Sequence, residues 1–158
     1  VSQTDPAFTS AAFGLARCRA QGKDRAGAVA AYQRIPATSR RYTLAQVALA
    51  RVLVRSELAP PGATELEQAS ATVQALSMEG YALHQLSVEL FRAAIRQVEA
   101  KAIPAGAANQ VLGQPLETNA LRFAVERELR ACARYAKSRD EQITLIDAAN
   151  KERPRTLF

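Results

Sequence analysis

Residues 5–36 read DPAFTSAAFGLARCRAQGKDRAGAVAAYQRIP, and this stretch decides the fold. Asp5-Pro6 opens a helix: a carboxylate suited to the N-cap, then Pro at the first helical position, where its missing N–H costs nothing. Phe8, Ala11, Ala12, Leu15, Ala16 and Arg19 recur at three and four, which predicts one amphipathic face. Gly22 stops the helix after Gln21. Asp24 can cap a second helix carrying Ala28, Val29, Tyr32 and Ile35, and Pro36 ends it. So short a link makes the two helices antiparallel neighbours.

Further along, the same punctuation recurs. Thr38 or Ser39 begins a third helix, roughly 40–57, apolar almost all round and so expected between neighbours on both sides. Ala59-Pro60-Pro61-Gly62 breaks the chain. Thr64 and Glu67 have capping-box spacing and open a fourth helix to about Leu76. A fifth runs about 79–102 with Leu83, Leu86, Leu90, Phe91, Ala94, Ile95 and Val98 as its stripe. Residues 103–116 hold two Pro and two Gly and read as an irregular loop. A sixth helix, about 118–137, places Arg122, Glu126, Arg130 and Arg134 along one exposed face, with pairing at i,i+4. Ser138 and Glu141 form a second capping box for a seventh helix that stops before Pro154. Its Ile143 and Ile146 predict a lid on the fifth and sixth helices, with Leu90, Phe91 and Phe123 as contacts. Residues 155–158 read as a tail.

Composition agrees. Thirty-three of 158 residues are Ala, which excludes an all-β domain, and 48% are hydrophobic, which supports a core and argues against disorder. No apolar run is long enough to span a membrane, and no signal peptide opens the chain. Val1 in place of an initiator Met makes a longer parent the expectation. Net charge is +6, with nine basic and three acidic residues in 1–57. A basic third faces an acidic partner, nucleic acid or an anionic surface, or is a solvated helix exterior. No aromatic residues interleave with the Arg as base-stacking platforms require, so nucleic acid is not expected.

The order of units is hairpin 5–36, hairpin 41–77, a long hairpin 79–137 and a capping helix with tail, 138–158, together one domain. This is an all-α, antiparallel helix-hairpin solenoid of about seven helices. The tetratricopeptide pattern wants a large apolar residue then a small one on the first helix. On the second it wants Ala, an aromatic four later and a closing Pro. Leu15-Ala16, Ala28, Tyr32 and Pro36 satisfy that order, and small residues let the helices approach closely.

Chemistry is sparse. His84 is the only histidine, without a second for a metal site or an acid–base pair, and reads as a satisfied or half-exposed structural residue. Cys18 and Cys132 stand 114 positions apart and read as buried free thiols. No nucleophile elbow, zinc-protease motif, phosphate-binding loop or kinase motif occurs. No catalytic residue, cofactor or metal is expected. What remains is a surface, since solenoids bind partners on the side lined by their first helices. Ser10, Phe13, Arg17 and Gln21 point there. Arg17 either clamps a carboxylate or phosphate bidentately or is a solvated Arg. Arg51 and Arg55, one turn apart on the third helix, are similar candidates.

The stretch Ile143–Phe158, with its Asp147, Ala149-Asn150-Lys151, Arg153-Pro154 and terminal Phe158, resembles the C-terminus of the actinobacterial protein kinase G family. Leu15–Cys18, Gly27–Ala31, Ile35–Ser39 and Asn109–Pro115 agree in the same order, so the resemblance covers nearly the whole chain. It implies the last part of the tetratricopeptide domain of a soluble, cytoplasmic serine/threonine kinase that also has a rubredoxin-like module and a kinase domain. It implies a non-catalytic scaffold that supports partner docking and a homodimer through the parent kinase. No catalytic or metal-binding residue of the family carries over, because those motifs are absent from this sequence. The expected partner is a protein or peptide segment, acidic to match the basic third. A stand-alone helical adaptor or nucleic-acid-binding regulator is the alternative.

Overall fold

A computed structural model describes residues 6–154. Asp5, expected to cap the first helix, and the tail 155–158, including terminal Phe158, lie outside the described residues. Two compact units divide at Ser77/Met78.

In the first unit, α1 (Pro6–Gln21), α2 (Arg25–Gln33), α3 (Tyr42–Val54) and α4 (Ala63–Gln74) pack in sequence, each on the next. Ala16 and Ala28 are fully buried, so α1 and α2 approach closely, and buried Tyr32 fills the gap between them. Asp24 Oδ1 accepts from the Gly27 N–H at 2.8 Å and caps α2. The buried face of α1 is Thr9, Ala12, Ala16 and Ala20. Phe8, Ala11, Leu15 and Arg19, expected on that face, are exposed instead. A contact between small residues is narrow, and larger side chains one position around fall outside it. Helix α3 buries Ala45, Leu49, Ala50, Val52, Leu53 and Val54, while Leu44 stays 58% exposed.

The cap of α4 lies two residues earlier than Thr64 and Glu67 suggest. Gly62 is the N-cap, and its N–H donates to Glu65 Oε2 at 3.0 Å. Pro61 is buried and fixes the entry, so the helix begins as soon as the Pro-Pro-Gly turn ends.

The second unit packs α5 (Tyr81–Glu99) on α6 (Thr118–Ala133) and α6 on α7 (Arg139–Glu152). Residues 103–116 are not an irregular loop. β1 (Gly106–Val111) and β2 (Gln114–Leu116) form an antiparallel hairpin that packs on α5 and α6. Val111 pairs with Gln114 around a two-residue turn, Leu112-Gly113, both at positive φ (49° and 75°). That geometry matches the twist of the flanking strands. Ile103, Val111 and Leu116 are buried and anchor the hairpin.

Helix α7 is held differently from the lid that its two Ile suggest. Ala149 is its only buried residue, Ile143 is 47% exposed, and Leu145 and Ile146 are half-buried. Phe123 is 43% exposed. The helix packs on α6, where Arg130 Nη2 donates to Asn150 Oδ1 at 2.8 Å, and Arg92 Nη2 pairs with Glu152 Oε1 at 2.8 Å to tie it to α5. Ser138 Oγ accepts from the Glu141 N–H at 3.1 Å and caps it, as the Ser-x-x-Glu spacing predicts. On α6, Arg130 pairs with Glu126 at 3.1 Å, but Arg122 reaches across to Glu99 of α5 at 2.9 Å.

Candidate functional site

Three helical turns of α1 set Ser10, Phe13, Arg17 and Gln21 on one face, flanking the α2 contact. Ser10, Arg17 and Gln21 are exposed and Phe13 is half-buried. Phe13 meets Tyr32 of α2 edge-on, centroids 5.4 Å apart and planes at 74°. Burial pushes the Tyr32 phenol up from its ordinary pKa, and the Arg17 charge pulls the other way. Arg17 follows Phe13 by one helical turn, on the same side of α1, and among the described residues it has no ion-pair partner.

Arg51 is exposed on α3, and Arg55 is exposed at the C-cap of that helix. Arg55 Nε stands 3.5 Å from Glu57 Oε2, which occupies part of its charge. Its carbonyl accepts from Arg25 Nη2 at 2.8 Å, and Arg25 also donates to the Ala59 carbonyl. Arg25 thus covers the carbonyl end of α3, where a cation is favoured. Its Nε is buried without a partner.

Arg41 escapes the sequence reading. It is the N-cap residue of α3, and its Nη1 donates to Ser10 Oγ at 3.5 Å, bringing the candidate face of α1 to the start of α3. The basic pair Arg40-Arg41 ahead of the helix was the available signal. Nine basic and five acidic residues fall within 1–77, so this unit is net cationic. An exposed guanidinium beside a half-buried aromatic suits a carboxylate or phosphate next to an apolar side chain.

Nucleophile chemistry is poorly served. His84 Nδ1 is engaged by Glu128 Oε2 at 2.7 Å, and Tyr135 lies beside the ring. Cys132 is buried, and burial with the nearby Glu128 charge pushes its thiol up, so it stays protonated. Cys18, expected buried, is exposed on α1. The side chain points away from the narrow Ala-lined contact with α2. Among the described residues no three His, Cys, Asp or Glu cluster to hold a metal, and no helix is long and apolar enough to cross a membrane.

A family model described as protein kinase G tetratricopeptide repeat matches residues 1–156. The chain is 33% identical over 172 residues to the serine/threonine-protein kinase PknG of Mycobacterium leprae (strain TN), covering 98% of this chain and 20% of that protein. It is 32% identical over 160 residues to the serine/threonine-protein kinase PknG of Mycolicibacterium smegmatis (strain ATCC 700084 / mc(2)155), covering 100% of this chain and 20% of that protein. The chain spans about a fifth of the length of these relatives.

Proposed function

From a chain that belongs to the protein kinase G tetratricopeptide repeat family, we propose that it serves as the docking part of a longer serine/threonine kinase and holds an acidic protein segment. It is a non-catalytic tetratricopeptide region, and the kinase motifs are absent from its sequence. Residues 1–158 act as one functional domain in this proposal, and the parent kinase works in the cytoplasm and pairs with a second copy.

One observation carries the docking reading. Arg17 is exposed, lacks an ion-pair partner among the described residues and adjoins the Phe13–Tyr32 pair in a cationic unit. Ser10 and Gln21 extend the face as hydrogen-bonding groups, and Arg51 and Arg55 add cations on α3. Attraction of this kind weakens with salt.

Fluorescence anisotropy of a labelled Glu- and Asp-rich peptide tests it. The chain binds the peptide, the affinity falls as salt rises, and Arg17→Glu weakens it by about tenfold, which is about 1.4 kcal/mol. Equal binding by the parent chain and Arg17→Glu would contradict the assignment of this face.

A further inference from the structure

Residues 25–56 hold six Arg and no carboxylate. Within them, 42–55 align on 8–21 without a gap at an offset of 34: YTLAQVALARVLVR against FTSAAFGLARCRAQ. Thr9, Ala11 and Leu15-Ala16-Arg17 recur as Thr43, Ala45 and Leu49-Ala50-Arg51. The docking face of α1 therefore has a counterpart on α3, position by position. Ser10 becomes Leu44, Phe13 becomes Val47, Arg17 becomes Arg51 and Gln21 becomes Arg55.

Leu44 breaks the polar character of that face. It is 58% exposed, more than any other large apolar side chain among the described residues. Val47 and Ala48, three and four positions on, are half-buried and share its side of α3. Arg51 follows Leu44 by two turns on the same side. Arg41 precedes it by three positions, and its Nη1 reaches Ser10 Oγ of α1 at 3.5 Å. Phe13 of α1 is half-buried against Tyr32 of α2, the helix on which α1 and α3 both pack. The face thus presents an apolar strip with Arg17, Arg41 and Arg51 around it, and neither 8–21 nor 25–56 holds a carboxylate. An apolar side chain ringed by polar groups is the anatomy of a binding hot spot. Covering it is favourable in proportion to the area removed from water, while the charges around it choose the partner.

We propose that Leu44 makes the docking face selective for acidic segments that carry a bulky apolar residue among their carboxylates. That residue seats on Leu44 with Val47 and Ala48. Carboxylates on either side of it reach Arg41 and Arg51, with Arg17 across on α1. A purely charged segment leaves Leu44 in water, and a purely apolar one leaves the guanidinium groups without a counter-charge. Only a segment with both kinds of side chain matches both features of the face. This rests on the docking function proposed for the face and adds the apolar residue of the ligand, with Leu44 as the side chain that reads it.

Fluorescence anisotropy compares two labelled Glu- and Asp-rich peptides of equal charge, one with a central Leu and one with Ser in its place. The chain binds the Leu peptide about tenfold more tightly. Leu44→Ser abolishes that difference and leaves the affinity for the Ser peptide within about twofold, and Leu44→Met restores the preference. The melting temperature of Leu44→Ser stays within about two degrees of the parent chain, because the side chain is exposed. Equal binding of the two peptides by the parent chain overturns the selectivity and leaves the docking function standing. Binding of neither peptide overturns both. A Leu44→Ser loss that is equal for the two peptides also overturns the selectivity, since Leu44 then shapes the face without reading the apolar residue. Self-association of the chain that Leu44→Ser abolishes overturns it too, since a second copy then covers the leucine.

Discussion

His84 Nδ1 on α5 stands 2.7 Å from Glu128 Oε2 on α6, the two side chains 27% and 15% exposed. This bond joins the first turn of α5 to the third turn of α6 across the most extensive helix contact of the second unit. Glu128 also accepts from Arg127 Nε at 3.2 Å. The one histidine of the chain is thus a strut between helices.

Removing either partner strands a half-buried polar group. Glu128→Ala and His84→Ala should each cost about 1–2 kcal/mol. The double mutant should cost less than the sum of the two. Urea unfolding of the four proteins measures the coupling. Additive losses would show that the two side chains do not interact.

The hairpin turn carries a removable strain. Leu112 holds φ 49° without the side-chain chemistry that favours a left-handed conformation. Leu112→Asn should raise stability by about 0.5–1 kcal/mol, and Gly113→Val should lower it by at least about 1 kcal/mol. Thermal denaturation measures both. A stabilising Gly113→Val would contradict the turn geometry.

Depth of burial separates the core of the second unit from α7. Leu90 and Leu121 are fully buried. Leu90→Ala or Leu121→Ala should cost about 2–5 kcal/mol, and Ile146→Ala less than about 2 kcal/mol. Ala149→Leu should cost about 1–3 kcal/mol, because Ala149 is fully buried and leaves no room for a larger side chain. Chemical denaturation ranks the four. An Ile146→Ala loss equal to that of Leu121→Ala would restore α7 as a buried lid.

Alkaline pH should weaken the fold through two raised groups. The Cys132 thiol and the Tyr32 phenol both hold their protons more tightly when folded than unfolded. Their stabilisation is fully present below their ordinary ranges, about pH 8.5 and 10, and is lost as pH rises through the raised folded values. Urea midpoints should fall from pH 8 to 10. Cys132→Ala should flatten the early part of that fall. A midpoint that climbs over this range would reverse the sign.

Much of the fold was legible because helix punctuation is local. Asp24, Gly22, Pro36 and the Ser138/Glu141 box each act within a turn, and the helices begin and end near them. The hairpin at 106–116 was not legible. Its register is irregular between Gly106 and Gln110, so alternation is lost, and Leu stands where Asn usually marks the turn. Burial on α1 also misled. Phe8 and Leu15 are as apolar as their counterparts on α3, and only the neighbouring helix decides which pair is covered. The candidate face could be placed by period alone, but the Arg41–Ser10 contact and the Arg55–Glu57 pair depend on tertiary structure.

Docking on the face shared by α1 and α3 can be tested residue by residue. The ¹⁵N-labelled chain is titrated with a Glu- and Asp-rich peptide, and backbone amide shifts are followed. Salt-sensitive shifts should concentrate at Ser10, Phe13, Arg17, Gln21, Arg51 and Arg55. Shifts confined to residues 78–154, or none at saturating peptide, would show that the acidic segment does not dock there.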